Sequence, residues 1–479
     1  MIAMSLGEIA RIIDGRLCEA DEHTQVTGTV EYDSRKVLPG GLFLALDGEH
    51  VDGHDFVGAA VANGAVVSIV TRPVDGPRIE VTDGIAALTA LAGAVACRLT
   101  ATVVGLTGSS GKTSTKDLIA QLLPRLGRTI APAGSMNNEL GHPYTVLQAD
   151  AQTAFLVLEL GARGIGHIRH LTSVAPPRIG LVLNVGAAHL GEFGSREVTA
   201  QAKGELVEAL PAAASGGIAI LNADDPLVLA MASRTTARVV TFGESGSAHV
   251  RASDVATDER GRPGFVLHAN SMSAPVQLRL VGTHHVSNAL AAAAVALECG
   301  LPLEQVAAGL NDAVATSRWR MELTERADGV LVINDAYNAN PDSMRAALKA
   351  LASVARGHRA AGGRSFAVLG EMAELGPDTA AEHDALGRLA VRLNISRVIA
   401  VGELARPIQH GAALEGSWDG ESAWVPDVEA AVSMLRAELR SGDVVLIKAS
   451  RAASLERVAL TIIEDASGPD GERMEGGVA

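Results

Sequence analysis

Short apolar runs rich in β-branched residues alternate along most of the chain with segments in which apolar residues recur every three or four positions. The runs have the length of buried strands, and the segments have the spacing of amphipathic helices. Alternating strands and helices predict a largely parallel, doubly wound sheet, so the expected fold class is α/β. In the middle of the chain the runs are 101–106, 155–158, 179–183, 218–221 and 239–242.

The same pattern divides the chain into three units and a tail. Residues 1–98 predict a small α/β unit, and residues 99–316 predict a central unit with a β extension over about 248–280. Residues 317–466 repeat the rhythm of a nucleotide-binding fold, and the polar, glycine-rich residues 467–479 are predicted to be disordered. A chain of 479 residues is too long for one core, which agrees with about three domains.

Composition argues against several classes of protein. A formal charge of −15 disfavours nucleic acid and anionic membranes as general partners. The three cysteines are far apart and form neither a zinc-binding spacing nor a disulfide framework. The sequence contains no signal-peptide pattern and no apolar run long enough to span a membrane. We therefore expect a cytoplasmic globular protein.

A phosphate-binding loop is predicted where the run 101–106 meets an amphipathic helix. Glycines let backbone N–H groups approach phosphate oxygens, and a helix N-terminus favours negative charge. In this setting Lys112 would reach the β- and γ-phosphates of a nucleotide, and the Thr113 hydroxyl would bind Mg²⁺. The strict pattern has glycine where Leu106 stands, so the loop is a variant. The candidate nucleotide-binding residues are Gly108, Ser109, Ser110, Gly111, Lys112, Thr113 and Ser114.

Further candidates follow other predicted strands, because ligands of α/β sheets bind beyond the carboxyl ends of the strands. Glu159 ends a buried run and is a candidate Mg²⁺ ligand, and His189 lies in a glycine-containing loop. Residues 334–343 are dense in hydrogen-bonding side chains, and Ser343 is a candidate cap for a helix over 343–355. Two cations and a hydroxyl follow the last strand, namely Lys448, Arg451 and Ser450.

Two segments have less specific patterns. Residues 33–56 predict a loop-rich surface that could hold an anion, with Arg35 as a candidate contact. Lys203 lies beside the apolar face of a helix predicted over 196–210. By spacing alone, its stem would lie along that face and its ammonium group would reach solvent.

Taken together, these segments resemble the Mur ligases, which are ATP-dependent amide-forming enzymes of peptidoglycan precursor synthesis. The resemblance covers about residues 5–460. Segments 33–35, 52–56, 137–141, 335–341 and 370–376 resemble those of family members that add D-alanyl-D-alanine. Trp319 and Ala449 stand where glycine is usual. The general family motifs are the Gly-Lys-Thr loop, Glu159, His189, Lys203, His284 with Asn288, Arg320 and Asp335.

The resemblance implies three domains, with a central phosphate-loop ATPase domain and a C-terminal Rossmann-like domain. It implies UDP-N-acetylmuramoyl-tripeptide, D-alanyl-D-alanine and ATP as substrates, with an acyl phosphate as the intermediate. Two Mg²⁺ ions and a carbamate formed on Lys203 are the implied cofactors. We expect a monomer.

The resemblance also implies a role for each candidate residue. The implied catalytic residues are Lys112, Lys203, His189 and Arg320. The implied metal ligands are Thr113, Glu159, His189 and Lys203. Beyond the phosphate loop, the nucleotide contacts would be Asn288, Arg320, Asp335 and Tyr337. The substrate contacts would be Ser34, Arg35, Asn137, Asn138, Asn338, Asn340, Lys448, Ser450 and Arg451.

Other interpretations stay open at this point. A related ligase, one that adds the third residue of the peptide or a folylpolyglutamate synthase, is the nearest. A GTP-binding switch would typically carry Asn-Lys-x-Asp, whereas the nearest segment, 222–225, lacks the lysine. A simple phosphate-loop kinase would need neither a second nucleotide-fold unit nor the Lys203 segment. The sequence leaves open whether the third residue of the tripeptide is diaminopimelate or lysine.

Overall fold

A computed structural model describes residues 1–48, 51–186, 193–359, 362–416 and 420–465. The tail predicted to be disordered, 467–479, lies outside these ranges, as does His189. The described residues form an α/β structure with four sheets, three of them parallel-rich, so the predicted fold class is confirmed. Within the described ranges, no helix is both long enough and apolar enough to cross a membrane.

The N-terminal sheets lie within the first 98 residues. The larger of them has five strands in the order β2–β7–β6–β5–β4 and is parallel except at β2. Strands β1 and β3 form a separate antiparallel pair. The elements are β1 (Met4–Ser5), α1 (Leu6–Ile12), β2 (Arg16–Cys18), β3 (Gln25–Val26), β4 (Val30–Glu31), β5 (Gly41–Leu44), α2 (Val57–Ala62), β6 (Ala65–Val70), β7 (Arg78–Glu80) and α3 (Gly84–Ala96).

A nine-stranded sheet forms the centre of the molecule, in the order β16–β15–β14–β13–β12–β11–β8–β10–β9. The elements are β8 (Thr102–Thr107), α4 (Lys112–Leu122), β9 (Thr129–Ile130), α5 (Gly141–Val146), β10 (Phe155–Glu159), α6 (His167–Val174), β11 (Ile179–Val182), α7 (Arg196–Glu208), β12 (Ile218–Asn222), α8 (Pro226–Leu229), β13 (Arg238–Gly243), β14 (Val250–Thr257), β15 (Pro263–Ala269), β16 (Met272–Gln277), α9 (His284–Glu298) and α10 (Leu303–Asp312).

Strands β8 to β14 of this sheet are parallel, and β14, β15 and β16 are antiparallel to one another in the region where the sequence predicts a β extension. The phosphate-loop strand β8 lies between β10 and β11, at the point where the order of the strands reverses. Ligands of such sheets bind in the crevice at this point, so the topology places the phosphate loop where a nucleotide fits.

The C-terminal sheet has the order β17–β18–β22–β19–β20–β21 and is parallel except at the edge strand β17. The elements are β17 (Glu322–Glu325), β18 (Leu331–Asn334), α11 (Pro341–Arg359), β19 (Ser365–Leu369), α12 (Thr379–Arg392), β20 (Arg397–Val401), α13 (Arg406–Leu414), β21 (Ser422–Val425), α14 (Val428–Glu438), β22 (Val444–Lys448) and α15 (Glu456–Glu464).

Helix α11 begins earlier than the sequence pattern suggested. Its first residue is Pro341, and Asn340 rather than Ser343 acts as the cap, because Asn340 Oδ1 accepts the N–H of Ser343 at 2.9 Å. The Ser343 hydroxyl in turn accepts the N–H of Asn340 at 3.1 Å. Two reciprocal bonds of this kind satisfy donors that the first turn leaves free, and proline suits the first helical position.

Apolar packing joins the N-terminal and central units. One buried cluster combines Leu6 and Leu88 of the N-terminal unit with Val146 and Leu156 of the central unit. Helix α5 lies at this junction, and its His142 is fully buried with no hydrogen-bond partner on either ring nitrogen among the described residues. Burial without a partner disfavours the charged ring and lowers the pKa of His142 to about 3.

Helices α12 and α13 cross so closely that glycine is required on both. A Cβ atom on Gly387 would lie 1.9 Å from the backbone oxygen of Ile408, and a Cβ on Gly411 would lie 2.1 Å from that of Asp384. Backbone atoms cannot give way as the end of a flexible side chain can. The crossing therefore excludes any larger residue at either position.

We expect Gly387→Ala to lower the free energy of unfolding by about 1–3 kcal/mol or more, because overpacking forces the two helices apart. Gly93→Ala in α3 is the matched control, since its Cβ would meet its nearest atom at 3.8 Å. That variant should gain about 0.4–1 kcal/mol from a less flexible unfolded chain. Urea unfolding followed by circular dichroism measures both. An unchanged Gly387→Ala protein would contradict the packing described here.

His142 should make the stability depend on pH. The unfolded ring binds a proton near pH 6.5 and the folded ring only near pH 3, so stability is complete above 6.5 and is lost as the pH falls between these values. Between pH 6.5 and 5 the loss amounts to about 2 kcal/mol. Unfolding of His142→Leu should depend less steeply on pH in this range. Parallel profiles for the two proteins would show that the buried ring is not the cause.

Candidate active site

A cavity of about 410 Å³ lies where the central and C-terminal units meet. The phosphate loop and the end of β10 line it from the central unit. Arg320 and the segments that follow β18, β19 and β22 line it from the C-terminal unit. Among the described residues none before Ser109 lines it, so the N-terminal unit contributes no wall.

The phosphate loop presents an uncapped helix N-terminus to this cavity. Gly111 precedes α4 with a φ of 79°, which glycine adopts without the strain of a Cβ atom, and a Cβ there would lie 2.5 Å from Asn288 Oδ1. No side chain among the residues that the structure describes caps the helix. Its first N–H groups and its dipole are therefore available to an anion.

Contacts with residues 184–186 hold the loop in shape. Asn184 Oδ1 accepts the N–H of Ser110 at 2.9 Å, and the Ser109 hydroxyl accepts the N–H of Gly186 at 2.9 Å. The Lys112 ammonium group donates to the backbone oxygen of Gly108 at 2.8 Å. Enclosure by the protein lowers the pKa of Lys112, against the opposing effect of the Glu159 carboxylate.

Glu159 brings together the oxygen donors expected of a magnesium site. Its carboxylate is 1% exposed and accepts the Thr113 hydroxyl at 3.1 Å, the Ser135 hydroxyl at 2.9 Å and the Asn137 amide at 2.7 Å. Carboxylate and hydroxyl oxygens are hard ligands, so Thr113 and Glu159 fit Mg²⁺. The sequence prediction omitted Ser135, because a lone serine in a loop carries no pattern.

Lys203 is not the solvent-exposed lysine that its spacing suggests. It is 2% exposed, lines the cavity, and makes no hydrogen bond or ion pair with any described residue. Helix α7 packs against β11, against α6 and against residues 226–234, so the position beside its apolar face is enclosed. Burial and the nearby Lys112 hold the pKa of Lys203 well below its usual value, which favours the neutral amine.

Arg320 links the C-terminal unit to the phosphate loop. Its Nη2 donates to the Thr113 hydroxyl at 3.3 Å, and its guanidinium lies 4.3 Å from the centre of the Tyr337 ring. Its Nε is buried without a partner among the described residues. From the same side, the Asn340 amide donates to the backbone oxygen of Ser109 at 3.4 Å. The guanidinium thus keeps a free donor next to the loop.

Asp335 and Lys448 form a buried ion pair behind the cavity wall. The two groups are 2.6 Å apart, and the ammonium group also donates to the backbone oxygen of Asn338 at 2.9 Å. Asp335 Oδ1 accepts the N–H of Met321 at 3.1 Å. Neither side chain lines the cavity, unlike the direct contacts that the sequence analysis assigns to them. The pair instead links the backbone of Met321, which follows Arg320, to the backbone of Asn338, which follows Tyr337.

The remaining candidates divide into two groups. Ser34 is buried in the N-terminal unit, and the neighbouring Arg35 is exposed and paired with Asp33 at 2.8 Å, so neither reaches the cavity. Asn288 lies behind the phosphate loop, against Gly111. The candidates that line the cavity are Asn137, Asn138, Asn338, Asn340, Ser450 and Arg451. Two further lining residues, Arg163 and His167, belong to no segment that the sequence singles out, whereas the lining residue Glu374 lies in segment 370–376 of the resemblance.

Three family models match the chain in succession. The Mur ligase family catalytic-domain model matches residues 27–93, the Mur ligase middle-domain model matches 106–296, and the Mur ligase glutamate ligase-domain model matches 319–451. Together they cover most of the chain. The residues that line the cavity belong to the second and third matches.

Relatives match over nearly the whole length. A UDP-N-acetylmuramoyl-tripeptide–D-alanyl-D-alanine ligase of Mycobacterium tuberculosis is 52% identical, with 97% of this chain and 98% of the relative covered. The enzyme of the same name from Escherichia coli is 36% identical, with 97% and 99% covered.

Solved structures agree with these relatives. MurF from Acinetobacter baumannii superposes with a TM-score of 0.83 at 31% identity, covering 96% of this chain and 99% of that one. MurF from Thermotoga maritima in complex with ADP gives 0.76 at 30% identity, covering 92% and 98%.

Proposed function

The chain belongs to the Mur ligase family, and we propose that it joins D-alanyl-D-alanine to UDP-N-acetylmuramoyl-tripeptide, with conversion of ATP to ADP and phosphate. One observation carries this: Arg320 meets the phosphate loop in a shared cavity, in a chain that matches relatives named for this reaction over 97% of its length. The reaction is a cytoplasmic step of peptidoglycan precursor synthesis, and we propose that the enzyme works there as a monomer.

The chemistry proceeds in two steps. A carboxylate oxygen of the tripeptide attacks the γ-phosphorus of ATP, and the bond to the bridging oxygen breaks to release ADP. The dipeptide amine then attacks the carbonyl carbon of the acyl phosphate. The tetrahedral intermediate expels phosphate, and the nitrogen loses a proton to solvent. Phosphorylation is needed because a free carboxylate has no adequate leaving group.

Lys112 and Arg320 are placed to neutralise the charge of the transferred phosphoryl group. Both line the cavity at the phosphate loop, one from each unit. Fixed cations at such a position stabilise a phosphoryl-transfer transition state. Mg²⁺, held by Thr113 and Glu159, would offset the charge of the ATP phosphates. A second Mg²⁺ with His189 as a ligand remains a proposal, since that residue lies outside the described ranges.

Carbamylation of Lys203 fits its surroundings. A buried ammonium group beside Lys112 is unfavourable, and the lowered pKa of Lys203 supplies the neutral amine that can attack CO₂. The neutral nitrogen bonds to the carbon of CO₂ and releases one proton, so an uncharged amine becomes a carbamate with one negative charge. The carbamate oxygens would then be hard ligands for the second Mg²⁺.

We assign a role to each part of the chain. Residues 1–98 would bind the UDP portion through Ser34, Arg35 and the loop 52–56. Residues 99–316 would bind ATP, with Asn288 behind the phosphate loop. The C-terminal unit would add Arg320 to this nucleotide site, with Tyr337 beneath its guanidinium. Residues 317–466 would close over the site, and Asp335 and Lys448 would support it from behind. The proposed peptide contacts are Asn137, Asn138, Asn338, Asn340, Ser450 and Arg451.

Phosphate release should require ATP, Mg²⁺, the UDP-muramoyl tripeptide and D-alanyl-D-alanine together. Lys112→Ala should lower the rate by at least about 10²–10³, since it removes a charge next to the γ-phosphate. Lys349→Ala, which removes an exposed lysine of α11, is the control for loss of charge. Equal phosphate release with ATP alone, or near-normal turnover of Lys112→Ala, would contradict the proposal. Efficient addition of a single amino acid to a UDP-muramoyl dipeptide would identify a different ligase.

Lys203→Ala should nearly abolish ligation while the free energy of unfolding stays the same or rises, because the substitution removes a buried amine that has no partner in the described part of the chain. Small carboxylates in solution should restore part of the activity by supplying the missing anion. Lys203→Arg should remain inactive, since a guanidinium does not take up CO₂ in this way. Full activity of Lys203→Arg would rule out the carbamate.

A further inference from the structure

Trp319 has a backbone conformation that its side chain makes unfavourable. Its φ is 59°, and Met321 has a φ of 51°, so both neighbours of Arg320 are in the left-handed region. A bulky residue is rare there, whereas glycine adopts this conformation readily. The backbone alone would therefore favour glycine at position 319. Unfavourable backbone conformations of this kind cluster at active sites and ligand-binding sites, which points to a function for this side chain.

The indole of Trp319 supports Arg451. The Arg451 guanidinium lies 4.6 Å from the centre of the indole ring, and its Nη1 pairs with Glu456 Oε1 at 2.6 Å. A planar guanidinium that is stacked on an aromatic ring and paired at one end has little freedom left. Its other N–H groups have no partner among the described residues, and Arg451 lines the cavity. They are therefore free to bind a ligand.

Two of the three arginines that line the cavity, Arg320 and Arg451, are therefore each stacked on an aromatic ring. Arg320 on Tyr337 bonds to Thr113 of the phosphate loop, whereas Arg451 on Trp319 makes no hydrogen bond or ion pair with the described residues of that loop. The two aromatic residues are joined, because the N–H of Tyr337 donates to the backbone oxygen of Trp319 at 3.3 Å. One guanidinium serves the phosphate groups, and the other defines a second place for an anion.

The proposed reaction brings one further carboxylate to this side of the cavity. The reacting carboxylate of the donor must lie at the phosphate loop, next to the γ-phosphate. The acceptor dipeptide carries its own carboxylate at the end opposite the attacking amine, about 7 Å away when extended. A guanidinium binds a carboxylate through two parallel hydrogen bonds, which fixes both its position and its orientation.

We propose that Arg451 binds the terminal carboxylate of the acceptor dipeptide, and that Trp319 is a positioning residue that holds the guanidinium in place. The inference rests on the proposed function and adds to it the group by which the acceptor is recognised. It also accounts for the tryptophan at a position that suits glycine: the ring is needed under Arg451.

The test compares D-alanyl-D-alanine with D-alanyl-D-alaninamide, which lacks the negative charge. The wild type should prefer the acid by about tenfold to a hundredfold in kcat/KM, the range for a hydrogen-bonded charged group. Arg451→Ala should reduce this preference to near unity. Trp319→Gly should lose most of it, through KM for the acceptor, while KM for ATP and for the tripeptide stays within about twofold. Trp319→Phe should retain most of the preference.

A matched control lies in the same unit. Arg406 lies 5.2 Å from the Trp424 ring and pairs with Glu403 at 3.3 Å, outside the cavity. Arg406→Ala should leave the preference unchanged. The unfolding midpoint of Trp319→Gly should be unchanged or higher, because glycine suits the left-handed backbone. A lower midpoint with the preference kept would show that the ring is merely structural and would overturn the proposal.

Other outcomes separate this inference from the proposed function. An equal loss of kcat with the acid and the amide would mean that Trp319 acts through Arg320, and a rise only in KM for the tripeptide would place the carboxylate on the donor. Either result overturns the proposal alone, as does a wild type that ligates both acceptors equally well. A wild type that ligates neither acceptor overturns the proposed function as well.

Discussion

The charge balance around Glu159 is the constraint on which the site depends. The cavity that this carboxylate lines is also lined by three cationic residues, Lys112, Lys203 and Arg320. The carboxylate itself accepts three hydrogen bonds, all from uncharged donors, namely two hydroxyls and one amide. Burial is the main cause of the lowered pKa values of Lys112 and Lys203, and repulsion by a neighbouring cation lowers each pKa further. Phosphate groups relieve the repulsion when ATP binds. The folded protein is thus built for an anionic ligand.

The phosphate-loop helix also controls the segment that delivers Arg320. The Gln121 side chain of α4 makes two hydrogen bonds of 3.0 Å to the backbone of Val314, one with its N–H and one with its carbonyl oxygen. One turn earlier, Asp117 accepts the N–H of Ser317 at 3.2 Å. The residues between α10 and Arg320 are therefore bound along the helix whose N-terminus faces the phosphates. Helix α4 therefore fixes the positions of both the phosphate loop and Arg320.

Sequence patterns predicted the parts of this arrangement that depend on local order. Alternating strands and helices predict the sheets, and the Gly-Lys-Thr triplet after a strand predicts the loop, because each feature is encoded by neighbouring residues. Lys203 shows the limit of such reasoning. Spacing within a helix identifies its apolar face, but it does not show that α6 and residues 226–234 enclose the adjacent face.

The same limit applies to pairs that are distant in sequence. Asp335 follows β18 and Lys448 ends β22, and the sequence assigns both to ligands, yet the parallel pairing of β18 with β22 brings them together as an ion pair. Likewise, Ser135 and Arg451 gain their places only through contacts with Glu159 and Trp319. Because Asp335 and Lys448 are about a hundred residues apart, no local sequence pattern indicates that they pair. A prediction from spacing therefore assigns each charged side chain to the ligand.

The way in which the three units are joined favours the C-terminal unit as the one that opens. The N-terminal and central units share an apolar core cluster, and separating them would expose its side chains to water. The central unit contributes one side chain, Val281, to a core cluster of the C-terminal unit, and at the cavity the C-terminal unit reaches the phosphate loop through two long hydrogen bonds, from Arg320 at 3.3 Å and from Asn340 at 3.4 Å. Water can replace such bonds at small cost. We propose that opening there admits ATP and releases ADP, and that closure brings Arg320 and Arg451 to the reactants when water must be excluded.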